Sequence, residues 1–286
     1  MKLREIHLRV ALTAISLGLL VWGFRLLLFD HAPYVFANPQ EDMSFAWYVP
    51  LFSLYVIWTR RSEIAASVGA PSIWGVVFAL PFLVMGFLGV RGIQIRFEML
   101  ALIGLLIAVP WAMFGRRTAA SVAFPALYLL FCLPLSNFLD IVTVHLRLLA
   151  SSVAYAVLSG AGADVVRSGT VISSQAGEFA IDVAEPCAGL RSLFAMMALT
   201  AAYAYFTQPT WLRRGVLFAL SVPIAVIGNV VRIITICMVA AMTSQDFAAG
   251  FYHDYSGYVV FAAAILLMVS CGEAISRLCR ARKEGK

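Results

Sequence analysis

Charge is what this chain most lacks. Of its 286 residues 13% are Asp, Glu, Lys or Arg, while 62% are apolar. A soluble domain carries about 25% charged and about 45–50% apolar residues, so a soluble globular protein is excluded. The formal net charge of +6 is modest, and Lys and Arg sit in short clusters beside hydrophobic runs. No nucleic-acid partner is expected from that pattern. Cysteine is also sparse. Cys132, Cys187, Cys237, Cys271 and Cys279 form no C-x-x-C pair, which leaves neither a zinc knuckle nor a thioredoxin-type motif. With no His/Cys/carboxylate ligand set in view, no metal or organic cofactor is expected. The chain has no internal repeat, no low-complexity tract and no soluble domain at either end.

What is abundant is long apolar runs, which a helix needs over about 20 residues to cross a membrane. Runs near 9–29, 44–59, 73–90, 97–115, 118–139, 188–208, 215–242 and 256–276 predict about eight spans. The expected fold is therefore an all-α integral membrane protein, a polytopic helical bundle of about eight transmembrane helices. The first run is too long for a signal h-region and is interrupted by Arg25, so it reads as a retained anchor. Residues 1–115 are expected to hold the N-terminal spans and 116–286 a transmembrane core, within one membrane domain.

Basic clusters at the N-terminus, Arg60-Arg61, Arg116-Arg117, Arg213-Arg214 and the C-terminus then fall on one side. Short loops rich in Lys and Arg stay cytoplasmic. Both termini are therefore expected in the cytoplasm of a cell inner membrane, with Arg91 and Arg96 as the main violators. This parity requires that 140–158 not cross. Its His145 and Arg147 suit an amphipathic interfacial helix or a re-entrant segment. Segment 159–186 is the main non-membrane piece. Val171-Ile172 and Phe179-Ala180-Ile181-Asp182-Val183 flank Gln175-Ala176-Gly177-Glu178 as a short external β-hairpin.

Against this apolar background three polar residues stand out. Cys187 opens a hydrophobic run in Glu185-Pro186-Cys187-Ala188-Gly189-Leu190-Arg191-Ser192. Pro186 suits a helix's first turn. The free N–H groups there, with Arg191 one turn on, favour a thiolate. Arg232 lies inside an apolar run, roughly 15 Å below its outer end at about 1.5 Å per residue. A cation at that depth is costly and is a functional candidate by default. A guanidinium suits a developing oxyanion, and Asn229, on the same face, could orient it or donate itself. His253 stands at the mouth of the last run, beside Asp254, and could move protons. The bland alternatives are a packed cysteine, a cation held by helix carbonyls and a solvated loop histidine. The charge-derived topology places all three residues toward the outer face. His31 and His145 also face outward but lack such a setting.

At these residues the chain resembles the exosortase/archaeosortase family of membrane transpeptidase-like enzymes. The carriers are the run Phe124-Pro125-Ala126-Leu127-Tyr128 through Leu135, the Glu185–Ser192 block, Pro223 through Asn229-Val230-Val231-Arg232, and His253 with Gly257. The match extends from about residue 120 to 275. Family members often carry Ser where this chain has Ala188. The resemblance implies Cys187, Arg232 and His253 as the catalytic set. Arg191, Asn229, Glu185 and Asp254 are expected beside the substrate. It implies as substrates exported proteins with a C-terminal tail of short motif (such as Pro-Glu-Pro), transmembrane helix and basic cluster. The tail would be cut near the motif and the new carboxyl end passed to an acceptor. Membrane lipids are further expected partners. No accessory domain is expected after the last span, so any such partner is expected to be a separate protein. The rival class is a transporter or lipid-binding protein that holds an anionic headgroup with Arg232 and Arg191. Transporters commonly show paired repeats and broken midplane helices, and neither is seen.

Overall fold

The computed structural model describes residues 2–38, 43–134, 136–182 and 190–284. They form two compact units, Met1–Leu135 and Ser136–Lys286.

The first unit opens with α1 (Lys2–Gly23), a π-helical turn (Leu27–His31) and α2 (Ala32–Ala37). The axis bends by 60° between His7–Gly23 and Leu27–Ala37. Pro33 sits in the first turn of α2, where its missing N–H is tolerated. A 3-10 turn (Ser44–Trp47) leads into α3 (Tyr48–Thr59), and α4 (Arg61–Ala66) follows. The centre of the unit is the antiparallel pair α5 (Ile73–Gly92) and α6 (Ile95–Phe114). Ile93 closes their tight connection in the left-handed region, at φ 51°. Glycines let the two backbones touch, since a Cβ on Gly75 would collide with the backbone of Ala112. Small residues at such crossings replace the hydrophobic drive that a lipid environment removes. Then come α7 (Arg116–Tyr128) and a 3-10 turn (Leu129–Cys132).

The second unit begins with α8 (Ser136–Gly160), one continuous helix over the stretch expected to lie in the interface or re-enter. It is followed by a three-stranded antiparallel sheet of β1 (Val165–Ser168), β2 (Val171–Ser174) and β3 (Ala180–Asp182). The β2–β3 hairpin sits where the alternation predicts it, with Ile172 opposite Ile181. β1 is an addition. Its Val165-Val166 pair is short, and the turn that returns it to β2 depends on Gly169 at φ 63°. Ala150, Ala154 and Leu158 of α8 bury the sheet's Ile172 and Ile181, and all of them pack with Ile233 and Ile236.

Those isoleucines belong to α10 (Trp211–Met242), which follows α9 (Leu190–Thr207). Thr210 caps α10 by accepting from the Arg213 N–H. The chain then makes a single turn, α11 (Gln245–Phe247), a π-helical turn (Ala248–Tyr252) and the long α12 (His253–Glu284). The helices α9, α10 and α12 pack pairwise on one another. The C-terminal end of α9 is tied to α10 and α12 by buried Gln208, whose Nε2 donates to Gly272 O at 3.1 Å while its backbone carbonyl accepts from Arg214 Nε at 2.8 Å.

By length and composition four helices can cross a membrane: α5, α6, α10 and Tyr255–Leu278 of α12. The bent α1–α2 pair makes up to five. The expected count of about eight is not reached among the described residues, for local reasons. The 44–59 run forms only a short helix after a 3-10 turn. The 118–139 run leaves the α-helix at Leu129–Cys132 and its last residues belong to a new helix, α8, from Ser136, and the 188–208 run is described from Leu190 onward.

Candidate active site

The site is built where α9, α10 and the start of α12 meet. Arg232 of α10 reaches across to His253. Its Nη2 donates to the ring Nε2 at 2.8 Å and to the His253 carbonyl at 2.9 Å. A guanidinium has donors and no acceptor. His253 therefore receives through Nε2, and its ring proton sits on Nδ1. The same carbonyl accepts from Ser256 Oγ at 3.1 Å. The π-helical turn Ala248–Tyr252 sets His253 as the first residue of α12, and such turns recur at functional sites.

Gly257 makes the approach possible. A Cβ there would lie 3.1 Å from Arg232 Nη2 and 3.2 Å from its Cζ. Arg232 Nε is buried and has no hydrogen-bond partner among the described residues. Beside it opens a cavity of about 40 Å³, with Ser192, Asn229 and Arg232 as its polar lining and Met196, Phe261 and Ala264 among its apolar walls. The side chain of Asn229, half-buried, makes no hydrogen bond among the described residues. Two donor-bearing side chains thus stand ready at one cavity, one of them a permanent cation. Buried polar groups are nearly always partnered, so this is a place for an incoming acceptor.

Of the residues singled out in the sequence, Arg232, Asn229 and His253 are brought together. Cys187 and Glu185 lie outside the described residues. Arg191 and Asp254 fall within α9 and α12, and their side chains lie outside the description. The other histidines are elsewhere. His145 Nδ1 is 2.7 Å from Ile141 O in its own helix, and His31 Nδ1 is 3.9 Å from Glu98 Oε1 in the first unit. Cys132 and Cys237 are buried packing residues. Among the described residues no three His, Cys, Asp or Glu side chains converge as a metal site. Ser192, Met196 and Phe261 were not picked out from the sequence. A signal was present for Phe261, which follows Gly257 by one helical turn and so shares its face.

No curated protein and no solved structure matches the chain. Residues 36–270 match the family described as Transmembrane exosortase (Exosortase_EpsH). That match spans both units and takes in the Cys187 block, Asn229, Arg232 and His253. The chain therefore belongs to the transmembrane exosortase family, membrane-embedded peptidases and transpeptidases of protein sorting.

Proposed function

We propose that this protein is a cysteine transpeptidase that cuts the C-terminal sorting tail of exported membrane-anchored proteins. The observation that carries the reading is the pairing of Arg232 with His253 beside an open cavity, at the helix that the Cys187 segment leads into. Two residues, Ala188 and Gly189, separate Cys187 from Leu190, the first residue of α9, and Ser192 of the same helix lines the cavity.

The Cys187 thiolate attacks the scissile carbonyl carbon, and the carbonyl oxygen becomes an oxyanion. Arg232 stabilises that charge, with Asn229 as a second donor. As the substrate carbonyl binds it draws the guanidinium, and His253 Nε2 loses the donor that occupies it in the free enzyme. The ring takes up the Cys187 proton as the thiolate forms, and returns it to the leaving nitrogen as the C–N bond breaks. A thioester joins the substrate's new carboxyl end to Cys187. An amine, or water, attacks that thioester, and the thiol departs.

The substrates are exported proteins with the tripartite tail. Their membrane helix docks beside the enzyme's spans in the inner membrane, and the short motif meets Cys187 at the external face. Glu185, Arg191 and Asp254 flank that motif.

The test is C-terminal processing of a tripartite-tail protein, read as a mass shift, with wild type and Cys187→Ala compared at equal membrane levels. Processing is expected to be lost in Cys187→Ala. Unchanged cleavage sinks the thiol mechanism and leaves Arg232 as an anion-binding residue.

A further inference from the structure

The cavity beside Arg232 has a shape that oxyanion stabilisation does not require. Its polar groups line one part, while its other walls are Met196 from α9 and Val260, Phe261 and Ala264 from α12. Below those walls the contact continues into a packed apolar cluster that includes Met196, Ile224, Ala264 and Met268. Two glycines, Gly228 and Gly257, help line it. At about 40 Å³ it is small and has room for a side chain of a few carbons.

We infer that this cavity is the specificity subsite for one small apolar side chain of the substrate, next to the scissile bond. The inference rests on the peptidase reading above. A peptide residue can offer two things to this cavity. Its side chain fills the apolar part, and its backbone carbonyl offers an acceptor to the Arg232 guanidinium that lines it. Asn229 can receive or donate to the same backbone. A charged side chain leaves the apolar walls unfilled, and a cationic one also faces the Arg232 guanidinium. Hydrophobic pockets discriminate by about ten- to 200-fold per methylene misfit, so size at one substrate position controls the rate.

The experiment uses full-length enzyme in membranes and a tripartite-tail substrate. Each residue between the exported domain and its membrane helix is replaced in turn by Ala, Val, Phe and Asp. Wild type is expected to show one position that accepts Ala or Val and loses about tenfold or more with Phe. Phe261→Ala enlarges the cavity and should restore Phe at that position alone. Ala264→Met fills it and should penalise Val relative to Ala. Rate ratios between substrates in one preparation do not depend on how much enzyme is folded, so a fold defect cannot imitate this pattern. Preference for Asp at the restricted position overturns the inference. Cavity variants that scale all substrates equally, or the lack of any restricted position, also overturn it. Cys187→Ala run alongside separates the two failures. Cleavage that persists without the thiol removes the peptidase reading, whereas thiol-dependent cleavage with flat ratios removes only the subsite.

Discussion

Each unit of the molecule places a histidine at the junction between a π-helical turn and an α-helix, and each histidine meets a charged residue of a membrane-spanning helix. In the first unit His31 ends the turn Leu27–His31 and faces Glu98 of α6 at 3.9 Å. In the second, His253 follows the turn Ala248–Tyr252 and meets Arg232 of α10 at 2.8 Å. The partners have opposite hydrogen-bonding capacity. A carboxylate accepts from a ring N–H, whereas a guanidinium only donates, so it holds an imidazole nitrogen as an acceptor. The contacts also differ in closeness. Glu98 is 1% exposed and its Oε1 has no hydrogen-bond partner among the described residues. Arg232 makes two bonds to one residue and keeps a further donor beside a cavity. The first pair is a buried polar group enclosed by packing, with a Cβ at Gly89 only 2.9 Å from Glu98 Cγ. The second is arranged to exchange partners, which is what a reacting site needs.

The largest effect should separate the two pairs outright. Arg232→Ala removes the charge that meets the oxyanion, and tail processing should fall by about 100- to 1,000-fold. Arg232→Lys restores the charge without the planar fork and should recover only part of the rate. Glu98→Gln keeps shape and burial and should leave processing per folded enzyme unchanged. Processing assays normalised to membrane level check both. If Glu98→Gln matches Arg232→Ala at normal levels, the functional contrast between the units is lost.

A smaller effect sharpens the same contrast at the histidines. In His253→Gln the side-chain amide oxygen can still accept from Arg232, but proton transfer is gone, so the rate should fall by about 100-fold. His31→Gln should change nothing in the rate. Nitrogen-15 NMR of histidine-labelled enzyme adds a direct reading. The free protein should show His253 unprotonated at Nε2, and Arg232→Ala should release that constraint. A His253 protonated at Nε2 in the free wild type contradicts the donor arrangement.

Much of this was legible in the chain. The long runs that became α5, α6, α10 and α12 carry their own membrane signal, because 20 or more apolar residues have few other uses. The hairpin of β2 and β3 was legible from alternation across Gln175–Glu178. Arg232 and Asn229 announced themselves by their cost among isoleucines and valines. Other features were not legible, for physical reasons. Hydropathy does not register where a run loses its helix, as at Leu129–Cys132, or bends, as at Leu27–His31. β1 is set by pairing with β2 and by a glycine turn, which are tertiary and local-backbone effects rather than periodic ones. The cavity is a relation among three helices. Met196 and Phe261 read as ordinary core residues until α9 and α12 are seen to close on α10.

Gly257 offers the finest test, because it alters the second pair without removing either member. In the free enzyme the guanidinium lies where a Cβ would stand, 3.1 Å from Nη2. In Gly257→Ala that atom must yield by a few tenths of an ångström. In the free enzyme Nη2 is bonded to both His253 Nε2 and His253 O, so the added methyl displaces a bonded group. The shift therefore passes to the oxyanion contact, and a displacement well short of 1 Å should cost about three- to tenfold in rate, given about 100-fold for a full ångström. Gly215→Ala is the matched control: it lies on the same helix as Arg232 and its added Cβ meets nothing within 4 Å. That variant should process at the wild-type rate. Because alanine favours the helix over glycine by about 1 kcal/mol, Gly215→Ala should be at least as well folded as wild type, and the rates of both variants are normalised to membrane level. A loss confined to Gly257→Ala then reports geometry at Arg232. Equal rates in the two variants would mean that the guanidinium has slack, and that the close contact with His253 is incidental to catalysis.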